Sequence, residues 1–188
     1  MLAKNHQQGH PAAARVRVPI AGETVLRAVY EDVARLFNSP DRLWQLTPGC
    51  ERIERMGPQS YRGWIRLGIL GIAGSYIGVL RLHDQSSDRY GVSVNATRAS
   101  GTGSIHASGT IRLVAADRHR TLVRYHGDIQ ISRPWSLLGT RAIRGFTKLL
   151  LGQFFAAAEA ELEAEKAGIV ARHSLLRNFC RYVARSLT

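Results

Sequence analysis

Cysteine is nearly absent from this 188-residue chain: Cys50 and Cys180 stand alone, 130 residues apart and in no metal-like spacing. That excludes a disulfide framework and a zinc site and makes a reducing cytosol the expected compartment. Long hydrophobic runs are missing too. The greasiest stretch, "LGILGIAGSYIGVL" from Leu67 to Leu80, is 14 residues broken by four glycines and a serine, too short to cross a bilayer. The start, "MLAKNHQQGHPAAA", is polar and lacks the apolar centre of a secretory signal, so no export is expected.

Catalytic signatures are equally scarce. "GTGSIHASG" lacks the nucleophile elbow and the complete dinucleotide fingerprint, and "GILGIAG" has no Lys-Ser/Thr to make a phosphate loop. His83, His106, His119 and His126 fall at turns or on outward parities, with no third ligand at useful spacing, so no metal is expected. Paired carboxylates for acid–base work are absent, since Glu159, Glu161, Glu163 and Glu165 gather on a helix end expected to be solvated. The chain reads as a non-enzyme, with no catalytic residue assigned.

What is present begins with positive charge. Lys and Arg number 26 against 14 acids, a net charge of +12, and all but Lys4, Lys148 and Lys166 of the 26 are Arg. Arginine stays charged at any pH near neutrality. Residues 1–19 and 168–188 contain no acid and together supply +7 of the +12. Charged ends on a milder body suit a membrane surface at least as well as nucleic acid, which is the less expected partner. The apolar content of 45% over this length supports one core.

The patterning predicts a disordered basic segment over 1–14 and a strand from about Arg15 to Leu26. A helix follows in "AVYEDVARLF", with Val29, Val33, Leu36 and Phe37 on one face, then a short helix "PDRLWQL" with Ser39 as N-cap and Pro40 at its first position. From Cys50 the period becomes two, over 50–56, 60–67, 76–84, 89–98, 104–115 and 121–132, separated by turn material such as "GPQS" and "ASGTG". Six successive strands make an antiparallel meander. A helix from about Ser136 to Lys166 closes the domain, with Ile143, Phe146, Leu150, Phe154, Ala158 and Leu162 as its stripe. Strand, two short helices, meander and long helix make an α+β helix-grip layout, in which a curved sheet wraps the final helix and leaves a space between them.

Alternation assigns the inward positions. Val123, Tyr125, Ile129 and Ile131 point one way on the last strand; Ile105, Ala107, Ile111 and Leu113, then Val92, Val94 and Ala96, follow on the strands before it. Tyr61, Ile65 and Leu67 are inward candidates near the start of the meander, with Trp64 on the opposite parity. From these and the helix stripe, the candidate cavity lining is Ile65, Leu67, Val92, Val94, Ile105, Ile111, Val123, Tyr125, Ile129, Phe146, Leu150 and Phe154. Phe154 and Phe155 cannot both face the core centrally. The plainer alternative is that these residues simply pack a core.

"NSPDRLWQLTPGCERIERMG", "IRLGILGIAGSYIGVLRL", "LVRYHGDIQI" and "LLGTRAIRGFTKLLLGQFFAAAEAEL" resemble, in this order, the CoxG family of carbon monoxide dehydrogenase subunits over about residues 18–163. Pro48-Gly49-Cys50, "LGTR" at Leu138 to Arg141 and Gln153-Phe154-Phe155 are the most telling pieces. The resemblance implies a START-like (SRPBCC) helix-grip domain, here 15–166, with a hydrophobic cavity and no catalysis of its own. It also implies work with molybdenum-containing hydroxylases of the carbon monoxide dehydrogenase type, in membrane recruitment and the handling of a quinone. No covalent cofactor is expected; a quinone or lipid is the expected ligand. The Arg-Pro-Trp within "ISRPWSLLGTR" and the bulky "WQLTPGC" depart from the family's pattern. The alternative on the same fold is a polyketide cyclase, aromatase or other ligand-processing enzyme.

Two surfaces are expected to dock. Arg141, Arg144 and Lys148 form a basic stripe near Trp135, which reads either as a solvated face or as a patch for lipid headgroups or an acidic partner. The end of the chain, "HSLLRNFCRYVARSLT" within 167–188, places Leu176, Phe179, Cys180, Val183 and Leu187 on one helical arc of about 100°, opposite Arg177, Arg181 and Arg185. Near an anionic surface each Arg contributes roughly 1 kcal/mol, and helix ordering offsets much of the total. Weak, reversible attachment to the inner face of the cytoplasmic membrane is the expectation, with docking on the protein's own domain as the alternative.

Overall fold

The computed structural model describes residues 15–68, 73–83, 86–132 and 139–168. In chain order these form β1 (Val16–Leu26), α1 (Tyr30–Phe37), α2 (Pro40–Gln45), β2 (Cys50–Gly57), β3 (Ser60–Leu67), β4 (Gly74–His83), β5 (Arg89–Arg98), β6 (Ser104–Ala115), β7 (Thr121–Ile131) and α3 (Gly139–Lys166). The strands make one seven-stranded sheet in the order β1-β7-β6-β5-β4-β3-β2, every pair antiparallel. Hairpins run from β2 to β7 in sequence, while α1 and α2 carry the chain from β1, at one edge, to β2 at the other.

Period-two patterning translates directly into burial. Along β1, Val18 and Leu26 are buried while Arg17, Pro19, Ala21, Glu23 and Val25 are exposed. Glycine brings two strands close together near the β1 edge of the sheet: Gly109 and Gly127 sit opposite one another on β6 and β7, and a Cβ on either would collide with main chain of the facing strand. Without side chains there, the two backbones approach closely and the sheet can curve around α3. The turn into β2 has a similar requirement. Gly49 adopts φ 76°, and any side chain on it would be driven into the Arg66 carbonyl.

The concave side holds two separate apolar clusters. The larger joins α1, the end of β1 and the C-terminal half of α3 through Leu26, Val33, Leu36, Phe37, Leu113, Val123, Phe155, Ala158 and Leu162. The smaller joins Val18, Tyr76, Ile131 and Ile143 at the N-terminal end of α3, with Leu67, Ile105, Ile129 and Phe146 against it.

Several expectations need correction. The buried line of α3 is Ile143, Thr147, Phe155, Ala158 and Leu162, so Phe155 takes the central place and Phe154 lies beside it. Thr147 can sit in that line because its hydroxyl donates to the Ile143 carbonyl at 2.9 Å. The glutamates of α3 are not simply solvated. Glu159 accepts from the main-chain N–H and Nε of Arg27 at 3.1 and 3.0 Å, and Arg42 bridges Glu161 at 3.0 Å and Glu165 at 2.6 Å. These ion pairs fasten the C-terminal half of α3 to β1 and α2. Ser39 occupies the N-cap of α2, but its hydroxyl donates back to the Arg35 carbonyl of α1. The expected helix start at Ser136, the 1–14 segment and the tail from 169 onward lie outside the described residues.

Candidate ligand-binding face

The concave positions of the sheet form rows across the strands. One row runs Tyr61, Leu80, Val94, Ala107, Ile129 and Val18; the next runs Leu82, Val92, Gly109, Gly127 and Ile20. The first row ends in the smaller cluster at Ile129 and Val18, but the middle of both rows lies between the two clusters and is made of small residues. Val92, Val94, Ala107 and Gly109 belong to neither cluster and are only half-buried, although they face the helix side. The inner surface is therefore closed at both ends and accessible in its middle.

The sequence-derived lining divides accordingly. Ile65, Leu67, Val92, Val94, Ile105, Ile111 and Ile129 all take concave parities and are half-buried. Phe146, Leu150 and Phe154 are half-buried on α3. Val123 is corrected from lining to core, being 0% exposed inside the larger cluster. Tyr125 lies over Gly22, which has no side chain to obstruct it, and stacks on Phe155 with ring centroids 5.6 Å apart. Phe154 meets Phe155 edge-on at 5.3 Å.

Sequence reasoning took Tyr61 as inward without placing it in the lining, and left Tyr76 and Tyr90 unassigned. Tyr61, Tyr76 and Tyr90 sit on concave parities and are almost fully buried. The signal was available: Tyr90 is two residues before Val92, and Tyr76 shares its parity with Leu80. Burial raises the Tyr90 and Tyr76 phenols above their ordinary value, offset at Tyr76 by the charge of Arg98. The Tyr90 hydroxyl accepts from Asn38 Nδ2 at 3.2 Å. Among the described residues, the concave positions of β1 and β3 to β7 carry no carboxylate and no imidazole.

Apart from Arg98, which takes a concave parity opposite Tyr76, the charged groups of these strands lie on the convex face. Arg17 donates to Asp128 at 2.6 Å, a bond that holds the Asp128 carboxyl below the usual range, and His106 Nδ1 meets Asn95 Oδ1 at 2.6 Å. Trp64 also points outward, under the Arg52 guanidinium at 4.8 Å from its ring centroid. Two pockets are found away from the concave rows. One of about 540 Å³ lies between β1 and α3 and includes Tyr125; one of about 430 Å³ lies on the convex face around Asn95, Ser104, His106 and Gln130. No group of three or more His, Cys, Asp or Glu among the described residues could hold a metal ion.

Arg141, Arg144 and Lys148 are exposed on α3, as the basic stripe requires. Trp135 and the tail positions Leu176, Arg177, Phe179, Arg181, Val183, Arg185 and Leu187 lie outside the described residues. No helix among the described residues is long and apolar enough to cross a membrane.

A curved antiparallel sheet gripping a long C-terminal helix, with a partly open apolar inner face, defines the START-like helix-grip class. Solved structures of the same shape include a conserved protein from Geobacillus kaustophilus, 24% identical with a TM-score of 0.73, covering 79% of this chain and 95% of that one. A START superfamily protein from Mycobacterium smegmatis is 10% identical with a TM-score of 0.62, covering 77% and 97%. An aromatase/cyclase from a Streptomyces species is 14% identical with a TM-score of 0.52, covering 83% and 98%. At these identities the likeness concerns the fold alone. A family model described as the CoxG subunit of carbon monoxide dehydrogenase matches residues 22–163, and the chain belongs to that family. No curated protein matches it.

Proposed function

We propose that this protein is a non-catalytic carrier of a hydrophobic ligand, quinone- or lipid-like. On this reading it also serves as a membrane-recruiting accessory of a molybdenum hydroxylase of the carbon monoxide dehydrogenase type. The observation that carries the reading is the half-open middle of the concave face, where Val92, Val94, Ala107 and Gly109 face α3 between two closed clusters. Apolar walls there favour an apolar ligand, since burying its surface gains about 25 cal/mol per Å². Concave strand positions without carboxylate or imidazole offer little for general acid–base chemistry, which supports carriage over catalysis. The family's name, a subunit of carbon monoxide dehydrogenase, supports an enzyme of that type as the partner. The basic stripe Arg141, Arg144 and Lys148 supports docking on an anionic surface, together with the expected amphipathic tail.

Native mass spectrometry of gently purified protein tests the carrier half: a retained hydrophobic molecule is expected, and protein that stays empty when offered quinones and lipids contradicts it. Flotation with anionic liposomes at low salt tests the recruiting half, with binding lost on deleting 169–188. Turnover of a polyketide-like substrate by the purified protein would replace the carrier with the cyclase alternative.

A further inference from the structure

The free edge of the sheet at β1 faces α3 across the 540 Å³ groove. Its walls are the β1 segment from Ala21 to Leu26 and the α3 residues Lys148, Gly152, Ala156 and Glu159, with the stacked rings of Tyr125 and Phe155 between them. Among the described residues, β1 has a strand neighbour on one side only, β7. In an antiparallel ladder the N–H and C=O of one residue point to the same side, and successive residues alternate. Arg27, one step beyond the strand, turns both groups toward α3: its N–H donates to Glu159 at 3.1 Å and its carbonyl accepts from Lys166 Nζ at 2.9 Å. Carried back by twos, that side belongs to Val25, Glu23 and Ala21. None of their main-chain groups bonds to a described residue outside the sheet.

The helix wall is bare where a strand would lie. A Cβ added to Gly152 meets nothing within 4 Å, and Ala156 is exposed. From Lys148 to Glu159 the groove runs eleven helical steps, about 16 Å at 1.5 Å each. Five extended residues at about 3.3 Å span the same length. An acyl or isoprenoid chain placed here would cover the edge N–H and C=O groups without bonding them, a costly burial, whereas a peptide returns a bond to each.

We infer that β1 and α3 take an extended peptide segment of a partner protein, added to the sheet beside β1, with a carboxylate at the Lys148 end. No described carboxylate pairs with Lys148, while Glu159, at the opposite end, is already bonded to Arg27. The protein's own ends do not complement Lys148, since residues 1–14 and 169–188 contain no acid. The inference goes beyond ligand carriage: it shares Tyr125 with the expected ligand lining and Lys148 with the basic stripe, but requires neither a ligand in the middle of the concave face nor a membrane.

The test selects displayed random peptides on the full-length protein. Those enriched, with synthetic peptides of residues 1–14 and 169–188, are then titrated against isotope-labelled protein by NMR. The expected result is acid-bearing peptides that move the amides of Ala21, Glu23, Val25 and Gly152. Val25→Pro removes one edge donor without touching the ladder to β7, and Gly152→Leu fills the groove with a better helix former. Each should weaken binding about tenfold, the loss of one or two hydrogen bonds, and Gly152→Leu should do so without lowering the melting temperature. Failure to enrich any peptide, or equal binding by the parent and Gly152→Leu, overturns the inference. Tightest binding by either of the protein's own segments overturns the partner and makes the occupant intramolecular.

Discussion

Replacing Ala107 by Phe distinguishes an open concave face from a packed one. Ala107 lies on β6, facing α3, opposite Val94 on one side and Ile129 on the other, and is half-buried outside both apolar clusters. Ala158 on α3 is the control, at 0% exposure within the larger cluster. Forcing extra methylenes into a filled core costs about 1–3 kcal/mol, and a ring at Ala158, surrounded on every side, should cost about 3 kcal/mol or more. At Ala107 the ring enters accessible space, and the burial it gains should hold the loss below about 1 kcal/mol. With a urea m-value of about 2 kcal/mol per M, the unfolding midpoint should fall by about 1.5 M for Ala158→Phe and by less than about 0.5 M for Ala107→Phe. Buried Trp44 supplies the fluorescence signal. In native mass spectra the Ala107→Phe protein should also lose any ligand the parent retains. Equal midpoint losses for the two variants would show the middle of the face to be packed and would refute the carrier argument at its base.

Three further outcomes follow from individual contacts. Gly49→Ala should destabilise by about 1–3 kcal/mol in the same urea assay, because the residue has φ 76° and its Cβ would strike the Arg66 carbonyl. Arg42→Ala should cost on the order of 1–2 kcal/mol, between exposed and buried pairs, because it releases Glu161 and Glu165 together from a side chain only 26% exposed; added salt should narrow the difference. Burial raises the folded-state phenols of Tyr76 and Tyr90, so their stabilisation is complete below the ordinary phenol value of about 10 and is lost as pH rises through the folded values. Melting temperature should therefore fall above about pH 10, and less steeply in Tyr90→Phe, which also forfeits the Asn38 hydrogen bond.

Local periodicity made most of this architecture legible. The expected strands 60–67, 89–98 and 104–115 coincide with β3, β5 and β6, and alternation assigned their faces because the side-chain period in a strand is two. The choice between Phe154 and Phe155 was not legible. One residue turns a helix by about 100°, and what fixed the rotation was the Tyr125 ring, brought by β7 against Phe155. Nor could composition reveal that Glu159 and Glu161 are tied to Arg27 and Arg42, partners 132 and 119 residues away in the chain. The parity of the concave face could be read, whereas its openness depends on how far the sheet stands from α3, a property of the two clusters together with the Gly109–Gly127 pair.

The charges on α3 run against its own dipole, and that bears on what holds the helix in place. Arg141 and Arg144 occupy the turns near its N-terminus and Glu159, Glu161, Glu163 and Glu165 those near its C-terminus, where the opposite signs are favoured by about 0.3–1 kcal/mol per charge. At the C-terminal half the mismatch is offset within the fold, by Arg27 on Glu159 and Arg42 on Glu161 and Glu165. At the N-terminal half no described carboxylate answers Arg141 or Arg144. The end of α3 beside Leu67, Ile105 and Phe146 thus keeps an uncompensated positive field next to apolar side chains, the pairing of properties that an anionic lipid surface would satisfy.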